Sequence, residues 1–325
     1  MKIFRNSLAL IFISVSFLFV LSDRDAASND GMSRKNVGRQ EMPLLLAKND
    51  EDIVVYKKDI IIHFDKLRAE SQGDTEEFKT VGKPEERKQE TLNLDIVDKY
   101  LKEGKRYEAR NALSDIFINK RMPEKQNEIK KLLDELNEEL IFSHSPSPDA
   151  TIYTVQPGDV LARIAKQFNT NYELIMRING KATTRLNIGE KLKIVTGKTK
   201  ILASKSDFTL TLLINDHYVK QYRIGTGKND KTPAGTFEVK NKMKEPAWFS
   251  PNGGVFPYGH PENILGTRWI GFKDKPDLYG YGIHGTTQPE SIGTASSNGC
   301  IRMLNSDVEE LYDFMTLDTE IIIQR

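Results

Sequence analysis

Apolar residues recur at helical spacing in three sets within residues 91–142: Ile96, Val97, Tyr100, Leu101; then Ala109, Ala112, Leu113, Ile116, Phe117; then Ile129, Leu132, Leu133, Leu136, Leu140. The i, i+3, i+4 spacing predicts three short amphipathic helices, with breaks at Gly104 and at Met122-Pro123. One such unit is marginal alone, because repeat-like helices bury their apolar faces on neighbours. The region therefore reads as a scaffold or a surface for a protein partner. Ser143-His144-Ser145-Pro146-Ser147-Pro148, within residues 143–150, reads as a linker and a domain boundary.

The period then changes. Residues 151–197 predict strand, helix, helix, strand: Ile152, Tyr153 and Val155 open the segment, and Asp159 is the expected N-cap of the first helix. Leu161, Ile164, Ala165 and Phe168 give that helix one apolar face, and Leu174, Ile175 and Ile178 give the second helix its own. From residue 199 to 325 the pattern is mostly β. Phe208–Ile214 and Tyr218–Ile224 alternate around a hairpin signal at Asn215-Asp216-His217. Ser306-Asp307-Val308-Glu309 predicts a capping box opening a helix through Met315, and Glu320–Gln324 a closing strand.

Residues 1–22 combine basic Lys2 and Arg5 with an apolar run from Leu8 to Leu21, shorter than the ~20 apolar residues that span a bilayer core. This predicts an exported chain, with the run (residues 7–21) either removed as a signal or kept as an inner-membrane anchor in a periplasmic or envelope setting. Residues 23–90 are polar and charged and read as a flexible tether. A net charge of +1 supplies no field for phosphate backbones, so nucleic acid is set aside as a partner.

Candidate chemistry concentrates on one thiol. Cys300 is the only cysteine in 325 residues, so it cannot enter an intrachain disulfide. It follows His284 in a Gly-rich context: Tyr281-Gly282-Ile283-His284-Gly285-Thr286, then Ser296-Ser297-Asn298-Gly299-Cys300-Ile301-Arg302. An imidazole can take a thiol proton and return it to a leaving amine near neutral pH. Gly299 is placed to leave amides free as oxyanion donors. Cys300 and Arg302 on one strand would share a face, where Arg302 could grip a carboxylate. His63, His144 and His217 show no ligand spacing, so neither metal nor cofactor is expected.

Two resemblances follow from these motifs. Tyr153-Thr154-Val155-x-Pro157-Gly158-Asp159-x-Leu161-x-x-Ile164-Ala165, with Asn179-Gly180 and Leu186-x-x-Gly189-x-x-Leu192-x-Ile194, resembles a LysM module. It implies contacts with N-acetylglucosamine-containing glycan from Gly158, Asp159, Leu161 and Asn187; Val160 stands where a Thr or Ser is usual. Residues 199–325 resemble the L,D-transpeptidase (YkuD-type) catalytic domain. The resemblance rests on Gly225-Thr226-Gly227, Thr232-Pro233-x-Gly235-x-Phe237, Asn263-x-Leu265-Gly266-Thr267-Arg268-Trp269, His284-Gly285-Thr286 and Ser297-x-Gly299-Cys300-Ile301-Arg302.

That second resemblance implies attack by Cys300 on a peptidoglycan stem tetrapeptide, release of D-alanine, and transfer of the thioester to a second stem as a 3→3 cross-link. His284 would be the base, oriented by the Gly285 carbonyl, with the Gly299 and Cys300 amides as the oxyanion hole and Arg302 supporting the donor pocket. Ser297, Asn298, Trp248 and Tyr258 are further candidates for substrate contact, the last two in a Gly/Pro/aromatic loop with His260 that resembles the roof of the site. Asn298 stands where many relatives carry His. An L,D-carboxypeptidase, an enzyme attaching protein to the wall, and a non-catalytic wall-binding adaptor are the alternatives.

Overall fold

The computed structural model describes residues 94–325, so the expectations for residues 1–90 lie outside the described residues. Among the described residues no helix is long and apolar enough to cross a membrane. Three helices begin the described chain: α1 (Leu94–Lys102), α2 (Arg106–Ile118) and α3 (Gln126–Asn137). Gly104 takes a positive φ of 73° between the first two, and Pro123 opens a single 3-10 turn before the third.

A two-stranded LysM-like unit follows: β1 (Ala150–Thr154), α4 (Leu161–Gln167), α5 (Tyr172–Ile178) and β2 (Lys191–Val195), with β1 and β2 antiparallel. Its own core joins Val155, Leu161, Ile164, Ala165, Ile175, Leu192 and Ile194. Asp159 does not cap α4. The N-cap is Val160, and the Asp159 carboxylate instead accepts hydrogen bonds from the Tyr153 hydroxyl (2.7 Å) and the Gln156 amide (2.8 Å), closing the turn before the helix.

The remainder is a curled mixed sheet of eight strands. In chain order these are β3 (Thr199–Ser204), β4 (Thr209–Ile214), β5 (His217–Arg223), β7 (Gly235–Lys244), β10 (Arg268–Phe272), β11 (Gly282–His284), β13 (Ile301–Arg302) and β14 (Glu320–Gln324), in spatial order β13-β11-β10-β7-β14-β3-β4-β5. The short strands β6 (Thr226–Gly227) and β12 (Ala295–Ser297) pair in parallel, and β8 (Trp248–Phe249) and β9 (Val255–Phe256) form a small hairpin. Asn215 and Asp216 turn the β4–β5 hairpin with positive φ values of 51° and 64°, the left-handed conformation that short Asn and Asp side chains tolerate. α6 (Asn305–Phe314) lies against β10 and β11. It begins two residues earlier than a Ser306 cap would set, with Leu304 as N-cap and no side-chain cap.

The helical region acts as scaffold: its apolar face is buried on the sheet and not left for a partner. Val97, Leu113, Ile116, Ile129, Leu132 and Leu136 are buried in one core with Leu212, Ile214 and Tyr218 of the sheet. The backbone at the sheet edge is met by side chains from these helices. The Ser114 hydroxyl accepts the Tyr218 amide at 2.6 Å, and the Asn137 side-chain amide donates to the Tyr218 and Val219 carbonyls at 2.9 and 3.1 Å. Groups that an edge strand would leave open are thereby satisfied.

The segment read as a linker is also packed. Asp149 is 1% exposed and pairs with Arg110, itself fully buried, while Tyr107 and Asn215 donate to the same carboxylate at 3.2 and 2.8 Å. Helices, Ser/Pro segment and β4–β5 hairpin thus meet at one buried charge pair. The two prolines preclude regular structure there, but they do not preclude burial of the residue that follows them.

Candidate active site

β11 and β13 run parallel, in a register that sets Ile283 beside Ile301 and His284 beside Arg302. Because side chains alternate, Ile283 and Ile301 (0% and 1% exposed) face the core, while His284 and Arg302 share the opposite face. Cys300 lies one residue before β13; carrying the alternation back by that residue puts its side chain on the His284 face, and its Sγ lies beside the Gly280 and Gly282 main chain that leads to His284. Gly282 lets β10 approach closely here: a Cβ there would come within 2.5 Å of the Ile270 carbonyl oxygen and 2.9 Å of the Trp269 ring. The Cys300 thiol is half-buried, 3.7 Å from the Gly280 carbonyl oxygen.

His284 is 2% exposed, and its Nδ1 lies 2.6 Å from the Gly285 carbonyl oxygen, which fixes the proton on Nδ1 and leaves Nε2 as the basic nitrogen. Its ring stacks on Trp269 at 6.0 Å between centroids. Burial pulls the imidazole down to about 4, against the Gly285 carbonyl, which favours the proton, and with the help of the Arg302 charge. Burial pushes the Cys300 thiol up to about 11, partly offset by the Gly282 backbone and Arg302. Both shifts act against charge, so at neutral pH the pair rests as thiol and neutral imidazole, not as thiolate and imidazolium.

The turn entering Cys300 is held from within. Gly299 adopts φ +136°, and a Cβ there would meet the Tyr281 ring at 2.6 Å. Ser297 is 2% exposed; its hydroxyl donates to the Cys300 carbonyl at 2.6 Å and accepts the Gly299 amide at 3.0 Å. This corrects the expectation of a free Gly299 amide. The turn closes on its own side chain, and a committed donor is not aimed at an incoming oxygen. Among the described residues the Cys300 amide forms no such bond. Thr232, 1% exposed, joins this frame by donating to the Gly299 carbonyl (2.8 Å) and accepting the Gly227 amide (2.7 Å). Asn298 is exposed beside the turn.

Arg302 is 9% exposed. Its main chain exchanges two hydrogen bonds of 2.9 Å with Gly225, one Nη reaches Gln288 at 3.5 Å, and its buried Nε has no hydrogen-bond partner.

Asn305 is the residue that the sequence pattern did not bring forward. Its side-chain oxygen accepts the amides of Thr267 (3.2 Å) and Thr286 (3.1 Å), and its nitrogen donates to the Thr286 carbonyl (3.0 Å). Thr286 lies in the loop that follows His284, and Thr267 in the neighbouring loop that enters β10. Gly266 and Gly285 have no Cβ because Asn305 sits 2.2 Å from where either would be. The available signal was the Asn ahead of the misplaced capping box.

The aromatic loop leaves the sheet and returns at one place, where the Glu245 amide donates to the Thr267 carbonyl at 2.9 Å. Asn263 closes its base by donating to the carbonyls of Pro246 (2.9 Å) and Phe256 (3.0 Å). Trp248 stacks on Phe256 at 5.6 Å, Phe256 meets the His260 ring at 4.9 Å, and Tyr258 remains 45% exposed. The loop base therefore adjoins the His284 loop.

The LysM candidates separate. Gly158, Asp159 and Asn187 lie at the surface or half-buried on loops, whereas Leu161 is 2% exposed and belongs to the core. A groove of about 380 Å³ runs between the Asp159–Ala162 and Thr184–Leu186 segments.

Comparison with known proteins agrees with this layout. The family model of the L,D-transpeptidase catalytic domain matches residues 198–323, and that of the LysM domain matches residues 153–195. The putative L,D-transpeptidase YkuD of Bacillus subtilis is 34% identical over 180 residues, covering 53% of this chain and 98% of its own length. This chain belongs to the L,D-transpeptidase family. The putative L,D-transpeptidase YqjB of Bacillus subtilis is 38% identical over 129 residues, 39% of this chain and 72% of that protein. Among solved structures, the catalytic domain of the E. faecium L,D-transpeptidase aligns at 23% identity over 39% of this chain and 98% of that chain, with a TM-score of 0.32.

Proposed function

We propose that this L,D-transpeptidase is a cysteine acyltransferase of peptidoglycan stems, held to the glycan by its LysM domain and working outside the cytoplasm. The observation that carries the reading is Cys300 on the same sheet face as His284, whose Nδ1 is held by the Gly285 carbonyl at 2.6 Å. Family membership and the accompanying LysM domain supply the substrate class.

The thiol enters as S–H. His284 Nε2 takes the proton as Sγ attacks the donor carbonyl, and the imidazolium then gives it to the departing D-alanine nitrogen. The Cys300 amide stabilises the tetrahedral oxyanion, while Gly299 and Ser297 hold the turn that aims it. Arg302, with a buried unpaired Nε, anchors the donor pocket. An amine of a second stem then attacks the thioester, giving a 3→3 cross-link and regenerating the thiol.

Incubation with purified sacculi followed by muropeptide mass spectrometry tests the reading. Cross-linked tripeptide-containing dimers are expected, and Cys300→Ala should remove them. Tripeptide monomers without dimers would make water the acceptor and the enzyme a carboxypeptidase. A carbapenem should add one adduct mass to the intact protein, at Cys300.

A further inference from the structure

A second concavity adjoins the LysM groove. It measures about 710 Å³ and lies between the LysM unit and the catalytic sheet unit. Ala162 and Tyr172 line both, so the two grooves adjoin, and the second extends from the LysM unit to the C-terminal end of α6. Lys244 sits over the Tyr172 ring at 5.4 Å and pairs with Glu173 at 2.6 Å, which holds this ring at the junction.

The walls of the second groove are tied together. The Asn171 side chain donates to the carbonyls of Asp313 (2.8 Å) and Met315 (2.7 Å), closing the open end of α6. Arg177 pairs with Asp313 at 2.6 Å, and Asn169 donates to Asp318 at 3.2 Å. Leu174, Ile178 and Val195 of the LysM unit join the same core as Phe314 and Met315. The groove is therefore pre-formed, a property that lowers the cost of ordering a ligand in it.

Its lining selects a chemistry. Glu173 is paired with Lys244, Lys242 is turned onto the Tyr312 and Met315 carbonyls, and Lys166 faces Asp318 across the groove, so there is no strong single-sign field for a polyanion. Thr170 and Asn169 add neutral hydroxyl and amide groups, and Ala162 and Leu317 add exposed apolar surface. Interleaved hydroxyl, amide and apolar groups suit a neutral, N-acetylated sugar chain. We propose that this groove is a second glycan subsite, which receives the continuation of a chain leaving the LysM groove, so that the catalytic unit contributes to gripping the strand. The proposal rests on the glycan-binding reading of the LysM domain.

Calorimetry on the intact chain with N-acetylglucosamine trimer and hexamer tests it. The hexamer should bind more than about tenfold tighter than the trimer, because linked subsites act at high effective concentration. Filling the second groove with Leu317→Trp should return hexamer affinity to the trimer level and leave the trimer unchanged. Thr170→Arg, on the opposite wall, should do the same, and an unaltered unfolding midpoint identifies the variant that reports. Equal trimer and hexamer affinities, or a well-folded variant with undiminished hexamer binding, would overturn the second subsite while leaving the LysM reading intact. Failure of both oligomers to bind the unaltered chain would instead remove the LysM reading itself, and the proposal with it.

Discussion

The Arg110 guanidinium and the Asp149 carboxylate form an ion pair in which neither side chain is exposed. It joins a helix of the N-terminal region to the last residue of the Ser/Pro segment before the LysM unit, and Asn215 adds the catalytic sheet. Removing one member leaves a buried charge alone, so Asp149→Ala should destabilise the fold by about 3–5 kcal/mol, whereas Arg110→Met with Asp149→Leu should cost much less. Denaturant unfolding of the three proteins checks this. Equal losses from single and double variants would show that the pair matters by shape and not by charge.

The thiol at about 11 and the imidazole at about 4 set the pH behaviour of the site. Alkylation of Cys300 by iodoacetamide requires thiolate, so its rate should keep climbing beyond about pH 10, where an ordinary thiol has levelled off. Transfer through neutral His284 should instead stay flat between about pH 5 and 10. An alkylation plateau below pH 7 would contradict the neutral resting pair.

The same imidazole makes stability depend on acid. Folded His284 resists protonation down to about 4, while the unfolded chain takes a proton near 6.5. Stability is therefore full above 6.5 and falls as pH drops from there toward 4, by roughly 3 kcal/mol in all. His284→Gln should flatten this part of the stability curve, as followed by urea midpoints between pH 7 and 4.

Asn305 is bonded to neither thiol nor imidazole, yet it staples the loop that follows His284 to the loop that enters β10. Asn305→Ala should lower kcat on the order of 10²-fold, since small displacements of a catalytic group are costly, with KM little changed. Asn305→Asp keeps the two acceptor bonds and loses the donor, so it should recover part of the rate. A matching fall in thermal midpoint, without a kcat change at temperatures where the variant is folded, would assign Asn305 to stability alone.

Gly299→Ala asks an L-residue to hold φ +136° with its methyl 2.6 Å from the Tyr281 ring. The turn must move, and with it the Cys300 amide. Acylation by a carbapenem should fall by about two orders of magnitude or more, as when one oxyanion donor is lost. Gly293→Ala offers a control: it also has positive φ (83°), but its clash is with the flexible end of Arg223.

Much of the fold was legible because its signals are local. Alternation around Asn215-Asp216 specifies a hairpin, and Leu161, Ile164 and Ala165 face one core at the spacing that predicted it. The Gly285 carbonyl contact with His284 lies one residue away and was readable from the motif. The rest depends on distant partners. Periodicity shows that Leu113 and Ile116 share an apolar face, but the strand that covers it begins about a hundred residues later: Ser114 and Tyr218 are 104 positions apart. Capping expectations failed at Asp159 and Ser306 because nearby side chains had other uses for those groups: Tyr153 claims one carboxylate, and the helix begins at Asn305, whose amide serves the active-site loops. The Gly299 amide was misread for the same reason, since Ser297 reaches it first.

Asn171 and Arg177 do more than stop the LysM domain from swinging. Under the proposed glycan binding, with both bonded to the end of α6, the span from the gripped sugar to the Cys300 thiol becomes a constant of the molecule. Under the proposed activity, the enzyme is then a caliper and not a leash. It reaches donor stems at one offset along a strand, and the pitch of the glycan decides which peptides come within its jaws.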